Sequence, residues 1–286
     1  MEIKFNPVFE KIGLPIVDCV INKWGESISF IIDTGADSSK IFNFVRKGMP
    51  QCFTPCNRTE LTTSVNGDQQ SGEIVMADIN LGDKFYSLEF TTIEHYSIVK
   101  MLWEKYQVKL VGMLGNDILR FGKYKVDFKN QSLSISDNTS NTSTNSHLKA
   151  SFEPTFKRHC MPLIGIHCDD IPEPLMFIVD TGANANLIFP NAYTRLDKSL
   201  NKHDFANNVI GIDGVSTKAT SCEIILNIGE YQCSHNFDLY ESMGTVEMFK
   251  NEGIEVHGLL GTNFISAHQL AIDFSTLTIY SQLQLS

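Results

Sequence analysis

The sequence predicts an all-β fold with a few short helices, built from one unit present twice. Three observations carry that expectation. The chain repeats itself at a nearly constant offset. Each copy is dominated by short apolar runs, alternating or continuous, set between Gly, Asn and Asp turns. A polar, aperiodic stretch, "SDNTSNTSTNS" from Ser136 to Ser146, separates the copies and reads as a flexible linker. The expected organisation is unit one at 1–135, a linker at 136–147 and unit two at 148–286.

The repeat centres on "FIIDTGADSSKIF" (Phe30 to Phe42) and "FIVDTGANANLIF" (Phe177 to Phe189). Asp180 follows Asp33 by 147 residues, and the same offset relates Pro162 to Pro15, Asp213-Gly214 to Asn66-Gly67 and Gly229 to Gly82. Further on, "HGLLGTNFI" from His257 matches "VGMLGNDIL" from Val111, and "IDF" at Asp273 matches "VDF" at Asp127, now at 146. One unit is thus present twice, with a one-residue slip.

Along each unit the elements follow in order. Ile28, Phe30 and Ile32 alternate ahead of Asp33, as in a half-buried strand, whereas "LMFIV" before Asp180 suits a strand buried on both faces. Asn-Gly and Asp-Gly tolerate positive φ, so Asn66-Gly67 and Asp213-Gly214 predict hairpin tips. The strands that follow place Val75, Ala77, Ile79 and Leu81 on one face in the first copy. Cys222, Ile224, Leu226 and Ile228 match them in the second, with Cys222 acting as a small hydrophobe. A helix is expected over Ile98 to Tyr106, with Val99, Leu102, Trp103 and Tyr106 on its packed face, and another over Thr245 to Glu252.

Composition narrows the function classes. With 286 residues, 42% hydrophobic and 10% aromatic, the chain is globular and long enough for two ordinary domains. The net charge of −10 and the scattered Lys and Arg argue against nucleic-acid binding, which needs a basic face. No apolar run is long enough to span a bilayer, and the N-terminus lacks a basic region followed by an apolar core. The expected compartment is therefore the cytoplasm, with a periplasmic or secreted location as the alternative if a leader has been removed. The Asn-X-Ser/Thr triplets read as linker chemistry, since they matter only in a glycosylating compartment. The seven cysteines match no zinc spacing and read as free, partly buried thiols. Cys160, His167 and Cys168 lack a second Cys/His pair, and the eight histidines are scattered, so no metal and no cofactor is expected.

The chemistry lies in the duplicated acidic turn. A strand ending in Asp-Thr-Gly puts a carboxylate on a tight turn. Gly35 and Gly182 allow close backbone approach, and the Thr34 and Thr181 hydroxyls can lock the turns by hydrogen bonds. If the units pack about a twofold axis, Asp33 and Asp180 meet. Two adjacent carboxyls share one proton and titrate as a pair, so one can take a proton from a bridging water while the other protonates a carbonyl. That is amide hydrolysis without a metal. A single Asp-Gly turn usually does no more than turn the chain; its recurrence at the same place in both halves favours the chemical reading.

Each half resembles a retropepsin-type aspartic protease unit. The resemblance rests on the apolar strand with "DTGA", the flap-like hairpin at "NG" or "DG", and the later "GMLG" and "GLLG" with a short helix after each. It covers nearly all of both halves and implies a single-chain fusion of two such units, similar to bacterial members of the group: two pseudo-twofold-related β-barrel units forming one bilobal molecule. It implies Asp33 and Asp180 as the catalytic dyad, supported by Thr34, Gly35 and Ala36 and by Thr181, Gly182 and Ala183. Asp37 and Asn184, with Asn66, Gly67, Asp213 and Gly214 in the flaps, are implied to contact an extended peptide or protein substrate. It also implies a monomer, because one chain holds both halves of the site. The sequence departs from the retroviral pattern at Asn116 and Thr262, where those enzymes have Arg, and at Asn184, where the first copy keeps Asp37. No pepsin-like flap tyrosine is evident. Ala36 and Ala183 replace the Ser or Thr that pepsin-like enzymes often carry, which removes a hydroxyl that would favour the charged carboxylate and so points to a less acidic working range. The leading expectation is an aspartic endopeptidase; the alternative is a protease-like fold that binds extended peptides without cutting them.

Overall fold

A computed structural model describes residues 1–63, 69–94, 97–135, 148–154, 156, 160–168, 171–196, 201–210, 216–228, 231–240, 244–250 and 253–283. The polar stretch 136–147 and the expected hairpin tips with Asn66, Gly67, Asp213 and Gly214 lie outside the described residues. The first half runs β1 (Glu2–Lys4), α1 (Phe9–Ile12), β2 (Ile16–Ile21), β3 (Ser27–Ile32), β4 (Lys40–Phe42) and α2 (Asn43–Gly48). It continues through β5 (Thr54–Thr63), β6 (Gln69–Leu81), β7 (Lys84–Ile93), α3 (Ser97–Tyr106), β8 (Leu110–Leu114), α4 (Asn116–Phe121), β9 (Tyr124–Asp127) and β10 (Ser132–Ile135). The second half runs β11 (Lys149–Ser151), β12 (Leu163–Cys168), β13 (Leu175–Val179), β14 (Leu187–Ile188), α5 (Pro190–Leu196), β15 (Asn201–Ile210) and β16 (Ser216–Ile228). It ends with β17 (Tyr231–Leu239), α6 (Gly244–Lys250), β18 (Gly258–Leu260), α7 (Thr262–Ala267), β19 (Leu270–Asp273) and β20 (Thr278–Ser281).

The fold is all-β with short helices, as expected. One seven-stranded sheet has the order β2-β3-β8-β4-β7-β6-β5, and the other has β12-β13-β18-β14-β17-β16-β15, position for position the same. Each closes on itself as a barrel, because β2 also pairs with β6 and β12 with β16. In each barrel the strand that leads into Asp-Thr-Gly runs parallel to the strand that ends in Leu-Gly. A third, antiparallel sheet, β1-β10-β9-β19-β20-β11, takes three strands from each half and joins them where Val126 faces Ile272.

The packing explains these elements. Val75, Ala77, Ile79 and Leu81 on β6 are buried, as are Cys222, Ile224, Leu226 and Ile228 on β16, so both alternating faces turn inward. All seven cysteines are free thiols. Two aromatic triplets anchor the halves in the same way. Phe5, Phe9 and Phe128 meet at centroid distances of 5.2, 5.8 and 5.7 Å, and Phe152, Phe156 and Phe274 at 5.2, 5.7 and 5.9 Å. Each triplet ties the start of its half to the residue that follows its central joining strand.

Two sequence expectations change. β3 is buried on both faces from Ile28 to Ile32, not half-buried. Ser29, whose polarity produced the alternation, donates its hydroxyl to Asp18 Oδ1 at 2.6 Å and so can be buried at low cost. In α3 the packed face centres on Leu102, with Ile98, Val99 and Met101 beside it, whereas Trp103 and Tyr106 are exposed. Gln107, at φ 57°, ends the helix and donates to Trp103 O, leaving the aromatic pair on the outer side.

Ile272 is fully buried in the joining sheet, and Ile225 is exposed on β16. Ile272→Ala is expected to lower unfolding free energy by about 3 kcal/mol through lost burial and a cavity, while Ile225→Ala stays within about 0.5 kcal/mol. Urea denaturation of the two variants checks this contrast.

Candidate active site

The β3 and β13 strands end at Asp33 and Asp180. Each aspartate sits at the start of a turn in which its carboxylate accepts the N–H of the glycine two residues on. Gly35 N donates to Asp33 Oδ1 at 2.9 Å, and Gly182 N to Asp180 Oδ1 at 2.8 Å. The backbone N–H of Asp33 is held by Leu114 O at 3.0 Å and that of Asp180 by Leu260 O at 2.9 Å, so each loop is pinned by the strand running parallel to it.

The turns lock to each other through their threonines. Thr34 N donates to Thr181 Oγ1 at 3.1 Å and Thr181 N to Thr34 Oγ1 at 3.0 Å. The hydroxyls then donate across the junction, Thr34 Oγ1 to Val179 O and Thr181 Oγ1 to Ile32 O, both at 2.6 Å. Both threonines are fully buried, so these four bonds satisfy groups that water cannot reach.

The lock brings the two carboxyls together. Each lies against the opposite turn, close enough for one carboxyl to shift the titration of the other. Gly35 lies against the Asp180 carboxyl and Gly182 against that of Asp33. A methyl group on Gly35 would come within 2.5 Å of Asp180 Oδ2, and one on Gly182 within 2.5 Å of Asp33 Cγ. Glycine is needed here because the opposite carboxyl fills the space of a side chain, not because of positive φ. Burial pushes the Asp33 carboxyl well above the ordinary carboxylate range, and the Asp180 charge pushes it further. Burial also raises Asp180, against the pull of the Gly182 N–H, the Asp33 carboxyl and the Ala183 and Gly35 N–H groups. Such a pair holds one proton where isolated carboxyls hold none.

Ala36 and Ala183 carry the loops onward and anchor the helices that follow the Leu-Gly strands. Asn116 N donates to Ala36 O at 2.9 Å and Thr262 N to Ala183 O at 2.8 Å. Gly115 and Gly261 permit this, since a Cβ on either would strike the carbonyls of the opposing loop. Asn116 and Thr262, where the sequence departs from the retroviral pattern, are buried supports. Asn116 Nδ2 donates to Thr34 O at 2.7 Å, and Thr262 Oγ1 donates to Asn184 Oδ1 at 3.1 Å.

The surroundings of the two aspartates differ. Asp37 and Asn184 are both exposed at equivalent positions. Beside the first loop, Lys40 is buried and donates to Ser38 Oγ at 2.7 Å and Glu60 Oε2 at 3.4 Å; its Nζ also lies 3.8 Å from Asp37 Oδ1. Burial raises the Glu60 carboxyl, but hydrogen bonds from Thr91, Lys40 and Ser38 outweigh it and hold the group below the ordinary range. In the second half Ala185 and buried Leu187 stand in place of Ser38 and Lys40. Sequence reading missed Lys40 and Glu60, because they lie on separate strands 20 residues apart. It also treated the histidines as scattered, whereas the fold brings His235 and His268 together with Cys233.

Residues 168–264, about a third of the chain, match the family model described as "Aspartyl protease". The matched segment contains Asp180, Thr181, Gly182 and the Leu259-Leu260-Gly261 element and is similar to that family. No curated protein matches the chain.

Thr34→Val removes the hydroxyl that serves Val179 O and the Thr181 N–H, leaving two buried groups unpaired. The expected loss is about 2–4 kcal/mol of unfolding free energy. Thr34→Ser keeps both bonds and is expected to lose about 1 kcal/mol for the missing methyl. Thermal and chemical denaturation of the two variants separate the hydrogen-bond contribution from packing.

Proposed function

We propose that this protein is an aspartic endopeptidase, a single-chain pair of retropepsin-like units with Asp33 and Asp180 as its catalytic dyad. The observation that carries the reading is the carboxyl pair, each set against the opposite turn and clamped from below by reciprocal threonine bonds. A turn needed only for folding has no reason to bury two acids against each other, since their proximity costs stability whenever both ionise.

The reaction uses one ionised and one protonated carboxyl. The ionised carboxylate takes a proton from a water held between the pair, and the water oxygen bonds to the peptide carbonyl carbon. The protonated carboxyl gives its proton to the carbonyl oxygen, forming a neutral tetrahedral diol. Collapse breaks the C–N bond as a proton passes to the leaving nitrogen, and the dyad returns to its singly protonated state. Thr34, Gly35, Ala36, Thr181, Gly182 and Ala183 hold this geometry. Asp37 and Asn184 flank the cleft, and the paired strands β5–β6 and β15–β16 cover an extended peptide. The charged wall at Lys40 and Glu60, set against Leu187, gives the two sides of the cleft different side-chain preferences. A monomer holds the complete site.

The raised dyad sets the working pH. Activity requires that one proton remain, so it persists through mildly acidic to neutral pH and falls as that proton leaves. No side-chain hydroxyl at Ala36 or Ala183 favours the charged forms.

The test is cleavage of a peptide library from pH 3 to 8, with and without pepstatin. The intact chain is expected to cut, with an optimum above the pH 2–3 range, and Asp33→Asn or Asp180→Asn to lower the rate by at least about 100-fold. The folded pair binds more protons than the unfolded chain above the ordinary carboxylate pKa, so its stability contribution falls as pH rises through that window. The Asn variants escape that cost and are expected to be at least as stable as the parent at pH 7, so lost activity is not lost folding. Unchanged cleavage in either variant contradicts the dyad. An intact chain that cuts nothing but binds extended peptides favours the non-catalytic reading.

A further inference from the structure

We propose that Cys233, His235 and His268 form a three-ligand zinc site in the second half, built from β17 and the residue after α7. Cys233 and His235 are two residues apart on β17 and so share one face of the strand, the face that also carries buried Phe237. His268 directly follows α7. Its backbone is fixed at both ends: its N–H donates to Phe264 O at 3.2 Å, and its carbonyl accepts the Ser281 hydroxyl at 2.8 Å. The donor atoms of the three residues lie within 4.8 Å of one another, and the two Nε2 atoms are 2.6 Å apart.

The surroundings fit a zinc site. Phe264 packs on both imidazoles at centroid distances of 4.8 and 4.7 Å, and Tyr231 meets His268 edge-on at 5.5 Å. This apolar shell pushes the Cys233 thiol up to about 11 and His235 below its ordinary value. One sulfur and two imidazole nitrogens suit borderline-soft zinc better than a hard, oxygen-seeking cation. Around tetrahedral zinc the two nitrogens would sit about 3.3 Å apart, so the rings need open by less than about 1 Å. On binding, the hydrogen on Nε2 moves to Nδ1 so that both Nε2 lone pairs face the metal. The thiol releases one proton as the Zn–S bond forms. A water or small anion completes the fourth position.

The first half supplies a second, independent observation. The strand register equates Cys233 with Tyr86 and His235 with Leu88, through Leu226 and Ile224 against Ile79 and Ala77. Gly122 occupies the place of His268. There the same architecture is filled by a Tyr86–Tyr124 hydroxyl bond of 2.6 Å and by Leu88. The barrel thus closes without any metal-ligating side chain at this spot, so folding alone does not call for Cys, His and His. An ion here would tie β17 of the second barrel to the turn entering β19 of the joining sheet.

The test adds Zn²⁺ or Co²⁺ to chelator-treated full-length protein. One equivalent of Zn²⁺ is expected to bind, raising the melting temperature. The Co²⁺ form is expected to show a near-ultraviolet thiolate-to-metal charge-transfer band. Cys233→Ser should abolish that band, and Cys233→Ser and His235→Leu should each weaken Zn²⁺ binding by at least about tenfold. No stoichiometric binding, a Co²⁺ spectrum without the band, or unchanged affinity in Cys233→Ser overturns the proposal. If a variant does not fold, the band in the unsubstituted protein decides alone.

Discussion

Two carboxyls held against each other are the constraint on which the rest of this structure depends. Left alone, Asp33 and Asp180 would ionise and separate. They stay together because the chain surrounds them with backbone donors and clamps their turns with four buried threonine hydrogen bonds. The two glycines leave each carboxyl room beside the opposite turn. The parallel strands that end in Leu114 and Leu260 fix the height of each loop, and the joining sheet fixes the distance between halves. Strain at the centre is thus held by packing at the periphery, as expected where a polar pair is retained at a cost in stability.

The two halves share their strand order and their phenylalanine triplets but differ in the side chains that surround their aspartates. Held in one chain, each half can change without forcing the same change on the other. Lys40 and Glu60 build a partly buried ionic network beside the first loop, where Leu187 keeps the second loop apolar. The same freedom accounts for Cys233 and His235 standing where the first half has Tyr86 and Leu88. Divergence is concentrated on barrel walls and hairpin flanks, while the threonine lock keeps the same bonds in both directions.

Much of this was legible in the sequence because local patterns carried it. The offset between the Asp-Thr-Gly turns gave the paired architecture, and period-two alternation gave the inner faces of β6 and β16. What escaped was set by residues distant in sequence. The alternation before Asp33 read as half-buried because the bond from Ser29 to Asp18 was invisible. The face of α3 was misplaced because helical spacing admits several adjacent stripes and only the neighbouring strands choose among them. Thr34 and Thr181 were recognised as a lock, but their carbonyl acceptors on the opposite strand were not. His235 and His268 are 33 residues apart, and no spacing rule links them.

The central claim is that Asp33 and Asp180 act as one titrating unit. Carbon-13 NMR of aspartate-labelled protein, with Asp33→Asn and Asp180→Asn used to assign the two carboxyl signals, measures this directly across a pH titration. One proton is expected to stay on the pair above the ordinary aspartate range, with both signals moving together as it leaves. Two independent titrations near the ordinary aspartate value of about 3.9 would contradict it.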